Sequence, residues 1–523
     1  MLARENLLPN AVARWATETP DAVALEIVGG ARHTYAELHG IGLRWAAALI
    51  RVGVTRGTHV ATMVAHEEWA QFTMLGVGWT GAVEVPLNLA YQGSMLRYAV
   101  DLTDATAIVC TSQHVEALAA VVPDLPKVTT VVVVDGEVPD GTFPCRTVGA
   151  AALFAGVEPA TDLPGPEYHE TSTLLLTSGT TGPSKAVVVP WAAVFQMWSW
   201  TPADGLGAGE GLFQAMPMFH NSGRSGFNSC MARGGRYVTR AKFSGTSFWD
   251  DVRSTGCVLG ALVGPMTQLL HNAPPSPDDA DNPLRAVIIG PMIPEMAEFE
   301  QRFGVKVGTC YGQTEIGAPL ATGWDHGPWA GCGRPRTDYP WTEVALVDEF
   351  DEPVPAGEVG ELVVRSREPW SLNAGYYKMP EATAEAWRNG WFHTGDAFRC
   401  DEEGWFYFVD RMRDTIRRRG ENISSFEVEN AVLEYPDVLE CAAVGIRTPL
   451  GDDEVLAGVI VRDPATFEPA ALHAFLADRM PKFMVPRYVE VMDDFPRNAT
   501  TGRVRKHEMR ERGLTERTWD RDA

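Results

Sequence analysis

Thr177-Ser178-Gly179-Thr180-Thr181-Gly182-Pro183-Ser184-Lys185 follows the apolar run Leu174–Leu176, and the reading of the whole chain turns on it. Two glycines free the backbone to turn its N–H groups inward, and the hydroxyls of Ser178, Thr180 and Thr181 add donors. Such a loop can wrap a polyphosphate, with Lys185 supplying a point charge against it. It is not the Walker pattern, which requires GxxxxGK[ST]. Taken alone, the nine residues also suit a plain turn rich in Ser, Thr and Gly.

Outward from this loop, short β-branched runs alternate with longer helical patterns. Ala107–Cys110, residues 128–134 and residues 187–189 read as buried strands, and residues 68–82 and 248–254 have the apolar spacing of helices. That alternation points to α/β layers. Residues 136–144 and 274–283 are loops by composition. Gly76-Val-Gly-Trp-Thr-Gly81 matches the dinucleotide fingerprint GxGxxG, but it lies inside a helical pattern with no strand leading into it. Close helix packing explains those glycines instead.

The character changes near Asp410, where DRMRDTIRRRGENISS begins. A new helical pattern starts at residues 426–435, and strands are expected at residues 442–444 and 455–461. The Gly and the interdomain position of the basic run favour a hinge over a solvated face. The expected architecture is α/β: a large N-terminal domain over residues 1–412, with mixed sheets and helices in several subdomains, and a small α/β C-terminal domain over residues 413–523.

With 523 residues, more than one domain is the expectation. A formal charge of −24 argues against a nucleic-acid partner and against anionic membranes, though not against a local basic pocket for phosphates. The eight cysteines lack CxxC or zinc-ligand spacing and read as buried, reduced thiols. The N-terminus lacks a cationic start followed by an apolar core, and no run of about 18 apolar residues occurs. A cytoplasmic enzyme without a membrane span is the expectation; monomer and homodimer stay open.

Taken together, several blocks resemble the acyl-adenylate-forming superfamily of acyl-CoA synthetases, peptide-synthetase adenylation domains and luciferases. The nine-residue loop looks like its phosphate loop. Tyr311-Gly312-Gln313-Thr314-Glu315 looks like its YGxTE motif, and Gly390-Trp-Phe-His-Thr-Gly-Asp396 looks like its GWxxTGD motif. Asp410-Arg411 opens its hinge segment, and residues 34–38, 85–88, 357–361 and 375–377 match further blocks in order. The resemblance covers nearly the whole chain.

The resemblance implies ATP and Mg²⁺, with coenzyme A as co-substrate. It implies that Glu315 binds the metal, that Thr314 contacts the phosphate of AMP and that Tyr311 packs on adenine, with Gly312 and Gln313 in the same nucleotide-binding block. Gly290 and Pro291 fall where a loop lines adenine and the carboxylate. Asp396 matches the ribose-binding aspartate, and Arg411 reaches the ribose or α-phosphate. His220 matches the gate of the acid pocket, with a structural histidine as the rival reading. Arg413 takes the hinge position about which the mobile C-terminal domain rotates. Gly420, Glu421 and Asn422 match the segment bordering the pantetheine tunnel. The pocket is expected to involve residues 191–200 and 220–226, where Arg224 meets either a second acidic group on the substrate or an ordinary ion-pair partner.

Near the C-terminus the family carries P-R-x-x-T-G-K, whose lysine bridges the acid and the α-phosphate. Here the chain reads Pro496-Arg-Asn-Ala-Thr-Thr-Gly-Arg503-Val-Arg-Lys506, with one extra residue and Arg after the glycine. Arg keeps the charge in a bulkier planar fork, so either Arg503 or Lys506 takes the catalytic role, with Arg503 preferred. Ala186 and Trp191 are smaller departures. The leading expectation is ATP-dependent activation of a small acid as its AMP adduct, followed by transfer to coenzyme A. The alternative is a biosynthetic adenylating enzyme with another acceptor: a carrier-protein thiol, an amine, or an aryl amine meeting AMP-activated nitrite. A degenerate binding protein is disfavoured because Lys185, Glu315 and Asp396 are all present.

Overall fold

The computed structural model describes residues 3–65, 68–177, 184–199, 201–202, 205–324, 327–411, 416–418, 421–423, 425–448, 453–477, 479–480, 482–497, 502 and 504–523. The chain divides into two compact units. One comprises Met1–Thr177, Ser184–Val344 and Val364–Phe392; the other contains Ala345–Val363 and His393–Ala523.

The larger unit holds two seven-stranded sheets. In the first, the parallel strands Gly211–Phe213, Arg236–Thr239, Leu259–Leu262, Ala286–Ile289 and Lys306–Gly308 lie beside Val23–Ile27. The second runs in the order Arg146–Val148, Thr130–Val133, Ala107–Cys110, His59–Met63, Val83–Pro86, Thr171–Thr177 and Lys185–Pro190. Its last pair is antiparallel and brings Thr177 opposite Lys185, so the ends of the Ser/Thr/Gly loop meet across a hairpin. Parallel strands buried on both faces carry continuous β-branched runs, which is why residues 107–110 and 128–134 were legible as strands.

One core takes Leu25, Leu212 and Tyr237 from the first sheet, Val60, Val109 and Val132 from the second, and Leu38, Leu75 and Phe227 from helices. Helix Glu68–Thr80 is buried from Ala70 to Thr80, the pattern of a helix without a solvent face. A Cβ on Gly76 would lie 2.6 Å from Trp45 Cβ, and one on Gly78 would lie 3.2 Å from the Trp191 ring. The GxGxxG letters therefore record helix packing. Helix Tyr35–Arg51 opens with a capping box: Thr34 Oγ1 accepts from Glu37 N at 3.2 Å, and Thr34 N donates to Glu37 Oε2 at 2.9 Å.

The smaller unit contains a four-stranded sheet in the order Val438–Arg447, Asp453–Val461, Tyr488–Val491, Thr518–Asp520. Helices Ser425–Leu433 and Pro469–Ala477 contribute Val428, Val432, Leu472 and Leu476 to its core. Within the basic run, Arg418 is not solvated. It is buried, pairs with Glu454 at 2.6 Å and donates to the Phe483 carbonyl at 2.7 Å. Arg413 and Gly420 lie outside the described residues. Among the described residues, no helix is long and apolar enough to cross a membrane.

Of the eight cysteines, Cys110, Cys230 and Cys257 are buried and the other five are half-buried, so the expectation of buried thiols holds only for three. Burial pushes the Cys110 thiol up to about 12.

Candidate active site

In the larger unit, the sequence-predicted residues gather after the carboxyl ends of parallel strands, where α/β sheets bind ligands. Gly211–Phe213 leads to His220, Ala286–Ile289 to Gly290 and Pro291, and Lys306–Gly308 to the stretch containing Tyr311 and Glu315. Thr309 Oγ1 donates to the Ile289 carbonyl at 2.6 Å and so ties two of these ends together. His220 is the N-cap residue of helix Asn221–Arg233, and its ring lies 4.6 Å from that of Phe219.

The hairpin Cys310–Gln313/Gly317–Ala321 sets the Thr314–Glu315 turn. Gln313 Nε2 donates to the Tyr311 hydroxyl at 3.0 Å. A Cβ on Gly312 would lie 2.2 Å from the Gly317 carbonyl oxygen, and Gly317 has φ +65° with Gln196 Oε1 against it, so neither position admits a side chain. Gln196 accepts from Ala318 N at 3.2 Å, while Arg336 donates to the Gln196 carbonyl at 3.0 Å and pairs with Asp338 at 2.6 Å. Gln196 and Arg336 brace the turn from outside the recognised blocks.

Glu315 is held through the segment Asn373–Tyr377. Asn373 Nδ2 and its backbone N–H donate to the Glu315 carbonyl at 2.8 and 2.9 Å. The Tyr376 hydroxyl donates to Glu315 Oε1 at 3.1 Å. Burial, and then the Glu315 carboxylate, hold the Tyr376 phenol well above its ordinary value, so it stays protonated and is the donor. Lys185 Nζ lies 4.5 Å from the centre of the Tyr376 ring. Tyr376 had no role in the sequence reading, although it sits inside the quoted block 375–377. Thr177 Oγ1 donates to the Lys185 carbonyl at 3.4 Å, while Ser178, Gly179, Thr180, Thr181 and Gly182 lie outside the described residues.

Arg224 is not available to a substrate acid group. It is buried and paired with Glu84, which also accepts from Thr62 Oγ1 at 3.0 Å, and it donates to the Met218 carbonyl at 3.3 Å. This pair closes a small cavity lined by Val64, Leu87, Leu89, Met218 and Phe219. Trp191 is likewise a core residue rather than a pocket wall, being 3% exposed and packed on Gly78.

In the smaller unit, Asp396 is 1% exposed and stands opposite Arg411 in the antiparallel register of Trp391–Cys400 and Phe406–Arg411. Its strand is fixed by Thr394 Oγ1 donating to the Leu362 carbonyl at 2.6 Å and by Glu361, which accepts from Gly395 N at 2.9 Å. Glu421 and Asn422 lie on the short strand Glu421–Ile423. Arg503 lies outside the described residues. Lys506 contacts Ser425 and pairs with Glu429 at 2.8 Å. Glu429 also accepts from Ala443 N at 2.7 Å, and burial raises its pKa.

Among the described residues, no group of three His, Cys, Asp or Glu side chains forms a metal cluster. Glu315 offers one hard carboxylate, the donor set that suits Mg²⁺ when phosphate oxygens and water complete the shell.

Residues 12–377 match the family model of the AMP-binding enzymes, and residues 427–501 match that of the AMP-binding enzyme C-terminal domain. The crotonobetaine/carnitine–CoA ligase of Escherichia coli O8 (strain IAI1) is 29% identical over 504 residues, covering 93% of this chain and 95% of that protein. Among solved structures, ATP-bound MatB from Rhodopseudomonas palustris aligns with TM-score 0.81 at 25% identity, covering 96% of this chain and 98% of that one. The amide bond synthetase McbA from Marinactinospora thermotolerans aligns with TM-score 0.81 at 26% identity over the same shares.

Proposed function

The chain belongs to the AMP-binding enzyme family, and from that premise we propose that it is an AMP-forming acid–CoA ligase acting on a small acid. The observation that carries the reading is the convergence of Lys185 and Glu315 on Tyr376, beside the carboxyl ends of the parallel strands.

A carboxylate and an α-phosphate are both anionic, so attack requires charge to be neutralised on both. Lys185 takes the polyphosphate together with the backbone N–H groups of residues 178–182. Mg²⁺, when bound through Glu315 and phosphate oxygens, supplies further charge neutralisation. Thr314 contacts the α-phosphate, Tyr311 packs on adenine with Gly312 and Gln313 beside it, and Gly290–Pro291 lines adenine and the acid. His220 stands at the acid pocket. Asp396 accepts from the ribose hydroxyls, with Arg411 near the ribose or α-phosphate.

Arg503 takes the role usually filled by the family's C-terminal lysine, since Lys506 is engaged with Glu429. The C-terminal domain of residues 413–523, the hinge at Arg413 and the acceptor segment Gly420, Glu421 and Asn422 belong to the same proposal, as does a cytoplasmic location. Transfer to coenzyme A is supported by the ligase relatives. A second reading, transfer to an amine, is favoured by the likeness to McbA and by the arginine at position 503.

Glu315→Gln tests the adenylation site. Pyrophosphate release is expected to fall by about a hundredfold or more, the scale of losing one preorganised electrostatic group. Wild-type release from that variant would sink the assignment.

A further inference from the structure

Lys185 begins the strand Lys185–Pro190, and Glu315 lies in a turn more than a hundred residues later. The segment Asn373–Tyr377 is where the two meet. Val188 N donates to the Gly375 carbonyl at 2.9 Å, Ala374 N to the Val188 carbonyl at 2.9 Å, and Tyr377 N to the Ala186 carbonyl at 2.8 Å. These bonds lay the segment alongside the Lys185 strand. On its other side, Asn373 clamps the Glu315 carbonyl, and Asn373 Oδ1 is itself held by Gly375 N at 2.8 Å and Trp387 Nε1 at 3.1 Å. Tyr376 N donates to Thr383 Oγ1 at 2.9 Å, which fixes its backbone.

We propose that Tyr376 is a positioning residue that presets Lys185 and Glu315 for MgATP, its ring face holding the ammonium and its hydroxyl orienting the carboxylate. The inference rests on the assignment of Lys185 to the triphosphate and Glu315 to Mg²⁺. A metal-binding carboxylate works best when a second group orients it. A flexible lysine loses rotamer entropy when fixed, so an ammonium already resting on an aromatic face leaves less ordering for the nucleotide to impose. The two interactions use different parts of one side chain and are therefore separable. The hydroxyl acts on the metal dependence, and the ring acts on the affinity for nucleotide even without metal.

The experiment compares full-length wild type, Tyr376→Phe and Tyr376→Leu. Calorimetric titration measures ATP affinity in EDTA and in Mg²⁺, and pyrophosphate release gives KM for ATP and the Mg²⁺ activation constant. Tyr376→Phe removes one oxygen atom and keeps the ring, and its circular dichroism checks the fold. It is expected to bind ATP in EDTA within about twofold of wild type, while the enhancement by Mg²⁺ shrinks about tenfold, the worth of one hydrogen bond to a charged group. Tyr376→Leu is expected to lose a further few-fold of affinity in EDTA as the cation–π contact goes. Wild-type Mg²⁺ enhancement in Tyr376→Phe would overturn the inference alone, as would equal EDTA affinity in Tyr376→Phe and Tyr376→Leu. A wild-type protein whose ATP binding ignores Mg²⁺ would overturn the adenylation reading and this inference with it.

Discussion

Replacing Glu84 by alanine isolates what anchors the segment leading to His220. Glu84 and Arg224 side chains are each 6% exposed. Without Glu84, the guanidinium keeps its hydrogen bond to the Met218 carbonyl at 3.3 Å. Stripping one partner from a buried ion pair costs roughly 3–5 kcal/mol, because the other charge stays buried. Set against a total stability of about 5–15 kcal/mol, that is a large share. For a unit of this size it corresponds to a fall in Tm of roughly 4–6 °C. Differential scanning calorimetry on wild type, Glu84→Ala, Glu84→Leu, Arg224→Met and the Glu84→Leu/Arg224→Met pair includes a closed double-mutant cycle. The double variant is expected to recover most of the loss, since a well-packed apolar pair is often as stable as the ions it replaces. A single variant melting within about 1 °C of wild type would show that the Glu84–Arg224 pair carries no such stability. So would a double variant in which the two losses simply add.

At the C-terminus, Arg503→Ala is expected to slow adenylation at least about tenfold, as loss of a charge-assisted contact does, while transfer from a supplied acyl-adenylate changes less. Stopped assays of each half-reaction check this, and equal activity in both would count against Arg503. Lys506→Met should lower Tm, because Glu429 then stays buried without its ammonium; unchanged melting would return Lys506 to consideration as the catalytic cation. Acid stability has a named contributor in Asp520. Hydrogen bonds from Arg487 at 3.0 Å hold its carboxyl below the ordinary range. That contribution is fully present above the unfolded carboxylate value, near pH 4, and is lost as pH falls through the folded value. Arg487→Gln should therefore flatten the acid limb of Tm against pH, and an unchanged slope would contradict the assignment.

Local chemistry made much of the fold legible. The helix Glu68–Thr80 was legible from its apolar spacing over residues 68–82, while its burial on every side, polar Gln71 and Thr73 included, needed the structure. Ala107–Cys110 reads as a strand because its β-branched run fills both faces of a parallel sheet. The adenylation blocks were legible as a resemblance, since the loop to Lys185 and the turn to Glu315 keep their letters together. What stayed hidden depends on partners distant in sequence. Arg224 meets Glu84 across 140 positions, and Tyr376 meets Glu315 across 61. The buried pairing of Arg418 with Glu454, inside the basic run, could not be read from spacing alone. Trp191 looked like a pocket wall because the surface it fills, around Gly78, belongs to a different helix.

The most direct test of the central claim is pyrophosphate release from ATP and Mg²⁺ over a panel of small acids including nitrite, with and without coenzyme A, with products read by mass spectrometry. Carboxylate-dependent release with a matching CoA thioester is expected. Release without any thioester, or release that requires nitrite, would contradict the ligase reading and move the chain to an adenylating enzyme with another acceptor.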